Sequence, residues 1–573
     1  MNPALVNTFL DFIQLKTYIF LMPFKQYRHK LLFLLLITLQ ALGTNNLIFA
    51  NNICDIIPAP QKVLLKQGHF SFEKQIKLIY PDVISKSLVI DFQDYLKTEF
   101  DVNVSLHERP LVSDVKKSIE FKLDLHNAVN SEAYMIDIKR NQIICNASSL
   151  TGLFYAIQSL QQLIDTEGEK PVIPCMIISD APRFAWRGFM LDEARHFFGK
   201  ETVKQYLDIM SKLKMNRFHW HLSDEQAFRI EMEHFPLLSI VGSSGSWSDS
   251  KAPSAYYTQD DIKEIIDYAA RRHIMVIPEI DMPGHANAIT RSYPYLSGGG
   301  DGRWSGFTFH PAKESTYLFI DSLFSEISEL FPSPYIHIGA DEVHFGNKSW
   351  FTDSIIQQFI RDNDLKNEIG LEHYFVKRVN NIIKSKGKQI LAWDEITNVD
   401  LGKDVATLMW WRHDKPELLL QTIKKGNKVI LTPRLPCYYD FVQDETHEIG
   451  RKNFYGTSAI NTLQTVYEFP DYYFKDQDIS KHQEQILGLQ ASMWTERVKD
   501  KKRLDFLVFP RMIAIAEAGW TRMESKSYLN FIERLKVFIK LLEKEGIYYF
   551  NIFDKSLSPE PWGPTREDVI AEG

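Results

Sequence analysis

The chain has 573 residues, 45% of them hydrophobic and 24% charged, a balance that supplies a sizeable core and excludes a disordered or fibrous chain. A formal charge of −7 and a pI near 6.2 exclude the basic footprint of a polyanion binder, so no nucleic-acid partner is expected.

The first element in chain order is an export leader. Lys25, Arg28, His29 and Lys30 precede the apolar run LLFLLLITLQALG (31–43), and Ile48-Phe49-Ala50 ends on a small residue suited to cleavage. Residues 1–50 are predicted to be a signal peptide, with Met22 as an alternative start. The apolar run is short for a bilayer, and no other stretch is long and apolar enough. The mature chain is therefore expected to have no membrane span. Four cysteines (Cys54, Cys145, Cys175 and Cys437) lack metal-like spacing, and their scatter argues against a disulfide scaffold.

Residues 54–182 read as a small α+β domain. IKLIYP (76–81), SIEFKL (118–123) and AYMIDIKRNQIICNA (133–147) have the composition of strands, and LTGLFYAIQSLQQLI (150–164) has helical periodicity. Asp180-Ala181-Pro182-Arg183 marks the end of this domain, because the residue before a proline favours extended backbone.

A strand–loop–helix rhythm then fills 183–550, leaving 551–573 as a tail. Strands are predicted at 187–192, 217–222, 274–280, 335–340, 389–394, 407–411, 428–433 and 486–494. Helices are predicted between most of them, for example at 201–213, 258–272 and 316–331. Asp260 and Asp261 sit in the first turn of one helix, where the dipole favours acids. Eight such repeats fit an α/β fold of the (β/α)8 TIM barrel type better than a doubly wound sheet.

In such a barrel the chemistry gathers at the C-terminal ends of the strands. Those ends hold Asp192 to His196, His219 to Glu225, Glu279 to His285, Asp341-Glu342, Trp393 to Glu395, Trp410 to Arg412, Tyr438 to Asp440 and Trp494 to Glu496. Carboxylates that bind hydroxyls, set beside indoles that cover a sugar's apolar face, make a carbohydrate-binding inventory. His219 and His221 alternate around Trp220 and also fit a buried, hydrogen-bonded strand face. Asp192 with Arg195 fits a structural ion pair. The His219-x-His221 pair resembles the metal pair of amidohydrolases, but later strand ends offer Trp, Tyr, Asp and Glu rather than histidines. No metal or cofactor is expected.

YIHIGADEVH (335–344) poses the sharpest question. Neighbours in a strand point to opposite faces, yet Asp341 and Glu342 are adjacent acids at a strand end. Alternation relaxes where the chain leaves the ladder, which lets both lean over the mouth.

Together with RGFMLDEARHFF (187–198), KMNRFHWHLSDEQAFRIE (214–231), VIPEIDMPGHANA (276–288) and GLQASMWTE (488–496), this segment resembles glycoside hydrolase family 20, the β-N-acetylhexosaminidases. The resemblance covers about 55–550. It implies an exo-acting, retaining hydrolase in which the substrate's own 2-acetamido oxygen attacks the anomeric carbon, giving an oxazolinium intermediate. Glu342 would be the general acid and base, and Asp341 would hold the acetamido group. The resemblance further implies that Arg187 grips the sugar's outer hydroxyls, and that Asp224 and His285 support the pair. Trp393, Trp411 and Trp494 would wall the pocket, Tyr438 would bind the acetamido oxygen, and Asp440 and Glu496 would bind the far hydroxyls. The expected partner is a carbohydrate ending in β-linked GlcNAc or GalNAc. Phe228, Ala340 and Cys437-Tyr438-Tyr439 depart from common family residues without removing a catalytic group. An Asn-x-Ser site at Asn347, beside the catalytic pair where a bulky glycan would be unwelcome, favours a bacterial periplasmic or secreted protein over a eukaryotic lysosomal one.

Overall fold

A computed structural model describes residues 54–564, apart from 83–85, 109–116, 125–129, 166–169, 403–405, 455, 475–481 and 483. The predicted leader at 1–50 and residues 565–573 of the expected tail lie outside the described residues. None of the described helices is long and apolar enough to cross a membrane.

Seven strands form the first sheet: β1 (Lys62–Ser71), β2 (Gln75–Tyr80), β3 (Asn103–Glu108), β4 (Ser118–Leu123), β5 (Tyr134–Ile138), β6 (Gln142–Ala147) and β7 (Val172–Asp180). Their order is β1-β7-β5-β6-β4-β2-β3. Period-two alternation buries Tyr134, Ile136 and Ile138 on β5 and Ile143, Cys145 and Ala147 on β6. The predicted run 133–147 is thus a hairpin, turning where Lys139 N donates to Gln142 O at 2.9 Å. The helix Leu150–Leu163 begins at Ser149, whose side chain accepts from Gly152 N. Three strands escaped the sequence reading. β1 shows why: Leu64 and Leu65 are exposed, its register with β7 shifts between Leu65 and His69, and Gly68 there has φ +100°. A bulged edge strand carries no clean alternation. The helix Lys86–Phe100 also went unread.

All eight predicted barrel strands are present: β8 (Trp186–Asp192), β9 (Arg217–His221), β10 (Met275–Met282), β11 (Tyr335–Gly339), β12 (Gln389–Trp393), β13 (Ala406–Trp410), β14 (Lys428–Leu431) and, after a short ladder β15 (Asn453–Phe454) and β16 (Thr457–Ser458), β17 (Ile486–Met493). They close in the order β10-β11-β12-β13-β14-β17-β8-β9, each pair of neighbours parallel. Parallel neighbours require crossovers, here supplied by helices such as Lys200–Lys212, Gln259–Ala270 and Glu314–Leu330. Every residue of β8 is buried, as expected for a strand with side chains packed inside the barrel and helices outside. Thr258 and Asp261 form a capping box on Gln259–Ala270, fixing the helix where its acids were expected.

Parallel closure puts all eight C-terminal strand ends at one mouth and all N-terminal ends at the other. Cys145, Cys175 and Cys437 are buried free thiols. The expected tail is docked rather than free over its described part: Arg503 Nη1 donates to Pro561 O at 2.8 Å and pairs with Glu560.

Candidate active site

The backbone at the end of β11 answers the question of the adjacent acids. Gly339, Ala340 and Glu342 all take left-handed φ values, +63°, +67° and +51°. Gly339 is obligatory there, because a Cβ would meet Asp281 Oδ1 at 2.0 Å. The left-handed steps on either side of Asp341 break strand alternation and turn Asp341 and Glu342 toward the same neighbour. His285 Nε2 lies 3.6 Å from Asp341 Oδ2 and 3.8 Å from Glu342 Oε2. Asp341 is recessed (14% side-chain exposure) and Glu342 stands open (35%). His285 itself has φ +51°. Backbone strain gathered on residues that face one another is a mark of a functional site.

Behind this pair runs a line of alternating charge. His285 Nδ1 donates to Asp224 Oδ1 at 3.1 Å, and Arg195 Nη2 pairs with Asp224 Oδ2 at 2.6 Å. Burial opposes charge on all three, but the partners prevail. Asp224 is held well below the usual carboxylate range by Arg195 and His285. His285 is raised well above its ordinary value by Asp224 and Asp341. At Asp341 burial wins: its pKa rises to about 6, with His285 pulling it down and Glu342 and Glu279 pushing it up.

Beneath the mouth, Glu279 is gripped on all sides. It accepts from His221 Nδ1 at 2.6 Å and from Trp393 Nε1 at 2.9 Å, and it lies 2.6 Å from His337 Nδ1 and 2.9 Å from His219 Nε2. Burial pushes its pKa up, but the three histidines hold it well below the usual range. His219 and His221 are therefore the buried, hydrogen-bonded residues that strand alternation suggested. Glu395 is also engaged, accepting from Trp411 Nε1 at 3.0 Å and lying 3.3 Å from Arg412 Nη1. Burial and Asp394 push its pKa well up.

The aromatic wall is continuous. Trp393 and Trp494 lie 5.9 Å apart, Trp494 and Tyr438 5.9 Å, and Tyr438 stacks on Trp411 at 6.2 Å with planes 3° apart. Arg195 reaches the same wall, 5.0 Å from the Trp494 ring. Asp440 and Glu496 follow Tyr438 and Trp494 at the rim, and both bear on the guanidinium of Arg451. A cavity of 1430 Å³ adjoins this rim at Glu496, with Glu225 and Arg451 also in its wall; the Asp341–Glu342 pair and the aromatic wall are not among its lining residues.

One expected site residue is elsewhere. Arg187 is the second residue of β8, at the opposite end of the barrel, and is 1% exposed. Its Nη2 donates to Glu132 Oε1 at 2.7 Å and its Nη1 to Glu132 Oε2 at 3.1 Å, while Nε donates to Lys214 O at 2.8 Å. It ties the first sheet to the barrel and cannot reach a sugar at the mouth. The arginine at the correct end of that strand is Arg195, which the sequence offered only as an ion-pair partner of Asp192. Position along the strand was the available signal. Arg451 lines the adjoining cavity without belonging to any motif singled out in the sequence, and Glu225, which lies within the 214–231 segment, lines it without having been given a role.

Comparison with known proteins agrees with this architecture. The family model for the glycosyl hydrolase family 20 catalytic domain matches residues 184–523, and that for domain 2 of the family matches 54–181. A β-hexosaminidase of Porphyromonas gingivalis is 32% identical over 522 residues, which cover 86% of this chain but 64% of that relative. The chain thus spans somewhat less than two thirds of that relative's length. The crystal structure of an exo-β-N-acetylglucosaminidase from Vibrio harveyi, in complex with N-acetylglucosamine, superposes with a TM-score of 0.77 at 27% identity, covering 87% of this chain and 79% of that one. A β-N-acetylhexosaminidase from Bacteroides fragilis gives 0.73 at 28% identity, covering 86% and 96%. The chain belongs to glycosyl hydrolase family 20.

Proposed function

We propose that the protein is an exo-acting, retaining β-N-acetylhexosaminidase that removes terminal GlcNAc or GalNAc by substrate-assisted catalysis. The observation that carries this reading is the turn at β11, which aims two consecutive acids at one histidine but gives them different surroundings. Glu342, the more open acid, protonates the leaving oxygen and then activates water. Asp341, the recessed one, accepts from the acetamido N–H and stabilises the positive charge that develops as the acetamido oxygen attacks C1. An internal nucleophile gains the effective molarity of an intramolecular reaction, on the order of 10⁵ M or more. Trp393, Trp411 and Trp494 enclose the acetamido methyl and the sugar ring, and Tyr438 aims the acetamido oxygen. Asp440 and Glu496, joined by Arg195 in place of Arg187, bind the far hydroxyls and limit the site to one terminal sugar.

Two further observations support it. An ordinary retaining glycosidase needs a second carboxylate free to form a covalent bond. Glu279 is fully engaged by its histidines and Trp393, and Glu395 by Trp411 and Arg412. Asp341 Oδ1, Asp440 Oδ1 and His285 Nε2 are buried without a hydrogen-bond partner, as befits atoms whose partners arrive with a hydroxylated ligand.

Matched aryl β-glycosides of GlcNAc, GalNAc and glucose test the reading. Turnover of both acetamido sugars, with the glucoside at least about a thousandfold slower, is expected; comparable rates on the glucoside would overturn it. We also propose domain limits at 54–182 and 183–550, in line with the two family matches. Residues 1–50 are proposed as an export leader to the periplasm or medium, which N-terminal sequencing of the mature protein tests.

A further inference from the structure

Arg451 follows β14 and is held in place at four points. Its N–H donates to Asp440 O at 3.3 Å and its carbonyl accepts from Val442 N at 3.1 Å. Its guanidinium lies 5.1 Å from the Phe441 ring, and Nε sits 3.3 Å from Asp440 Oδ2. The side chain is nonetheless 41% exposed, and the residue forms part of the cavity wall with Glu496. Asp440 above all, and then Glu496 and Glu342, hold its pKa above the ordinary value.

Asp440 supplies an independent observation. It is 6% exposed, yet its Oδ1 is buried with no partner. A buried acceptor without a partner is costly, and a native site keeps one where a ligand supplies the donor. A sugar hydroxyl both donates and accepts, so a complete site offers it one group of each kind. Resting on the hexosaminidase reading above, we propose that Arg451 is a substrate-binding residue that donates to the far hydroxyl of the terminal sugar from which Asp440 accepts. The ligand group is a neutral hydroxyl and not an anionic substituent, because Asp440, Glu496 and Glu342 surround the guanidinium with acids.

The test compares wild type with Arg451→Ala and Arg451→Gln on aryl β-GlcNAc, its 3-, 4- and 6-deoxy analogues, and the β-fluoride. Loss of a charged hydrogen bond is expected to lower kcat/KM by roughly 10- to 100-fold on the parent sugar with either leaving group. That loss should vanish on the one deoxy analogue that lacks the bound hydroxyl. An equal loss on every analogue, which a merely structural role would produce, overturns the proposal. So does no loss at all, or a loss that disappears with fluoride, which would put Arg451 on the leaving group. Failure of the underlying reading looks different: wild type itself would not turn over the acetamido sugars.

Discussion

At the scale of single residues, the account rests on two neighbouring carboxyls doing different work. If Glu342 gives the proton, Glu342→Gln is expected to cut kcat by roughly 10²–10⁴-fold on glycosides with poor leaving groups and far less on activated aryl glycosides. Equal losses across a leaving-group series would remove Glu342 from that role. Asp341 must be ionised to stabilise the cation, yet burial raises its pKa to about 6. The acid limb of kcat/KM is therefore expected to fall with an apparent pKa near 6 and to be lost in Asp341→Asn. Stability runs the other way. The unfolded carboxyl titrates near 3.9, so the folded state holds its proton longer, and this group lowers stability as pH climbs from about 4 to about 6. Asp341→Asn is expected to melt above wild type at pH 7.5, with the gap closing toward pH 4. A lower Tm at pH 7.5 would contradict the burial argument. The need for a charged group in a place that disfavours charge was not legible in the sequence, which located the acids but not their surroundings.

At the scale of elements, what a strand offers depends on which end a residue occupies. Arg187 and Arg195 flank the same strand and motif, and the resemblance assigned the sugar to the first. The fold puts Arg187 at the closed end, paired with Glu132, and Arg195 at the mouth, paired with Asp224. Arg187→Met is expected to cost about 3–5 kcal/mol of stability by stranding the Glu132 charge, while the folded fraction keeps its kcat/KM. Arg195→Met strands the buried Asp224 charge and is likewise expected to cost stability, but here kcat/KM of the folded fraction also falls, by roughly 100-fold. Urea unfolding beside kinetics of the two variants separates them, and a selective loss of activity in Arg187→Met would restore the first assignment. The eight barrel strands were legible because each is an apolar run bounded by turn residues. In the first sheet the edge strands β1 and β3 were not, since edge pairing and, in β1, a bulge leave no period to read; β7, paired on both sides, went unread as well. The left-handed steps at Ala340 and Glu342 were hidden as well, because neither is a glycine.

At the scale of the whole molecule, barrel closure brings eight distant segments to one mouth, and that convergence turns scattered strand ends into a site. The sequence made the barrel and most of the constellation legible, because strand ends in a parallel barrel must meet. It left unread what depends on tertiary contact: the Glu279 cage that removes a rival nucleophile, and the guanidinium of Arg451 at the rim. The central claim is that the substrate supplies the attacking atom. Kinetics on aryl β-glycosides carrying N-acetyl, N-fluoroacetyl, N-difluoroacetyl and N-trifluoroacetyl groups test it most directly, because each fluorine withdraws electrons from the amide oxygen. A fall in kcat/KM of several orders of magnitude along the series is predicted; a flat series would contradict the account and return the attack to a side chain.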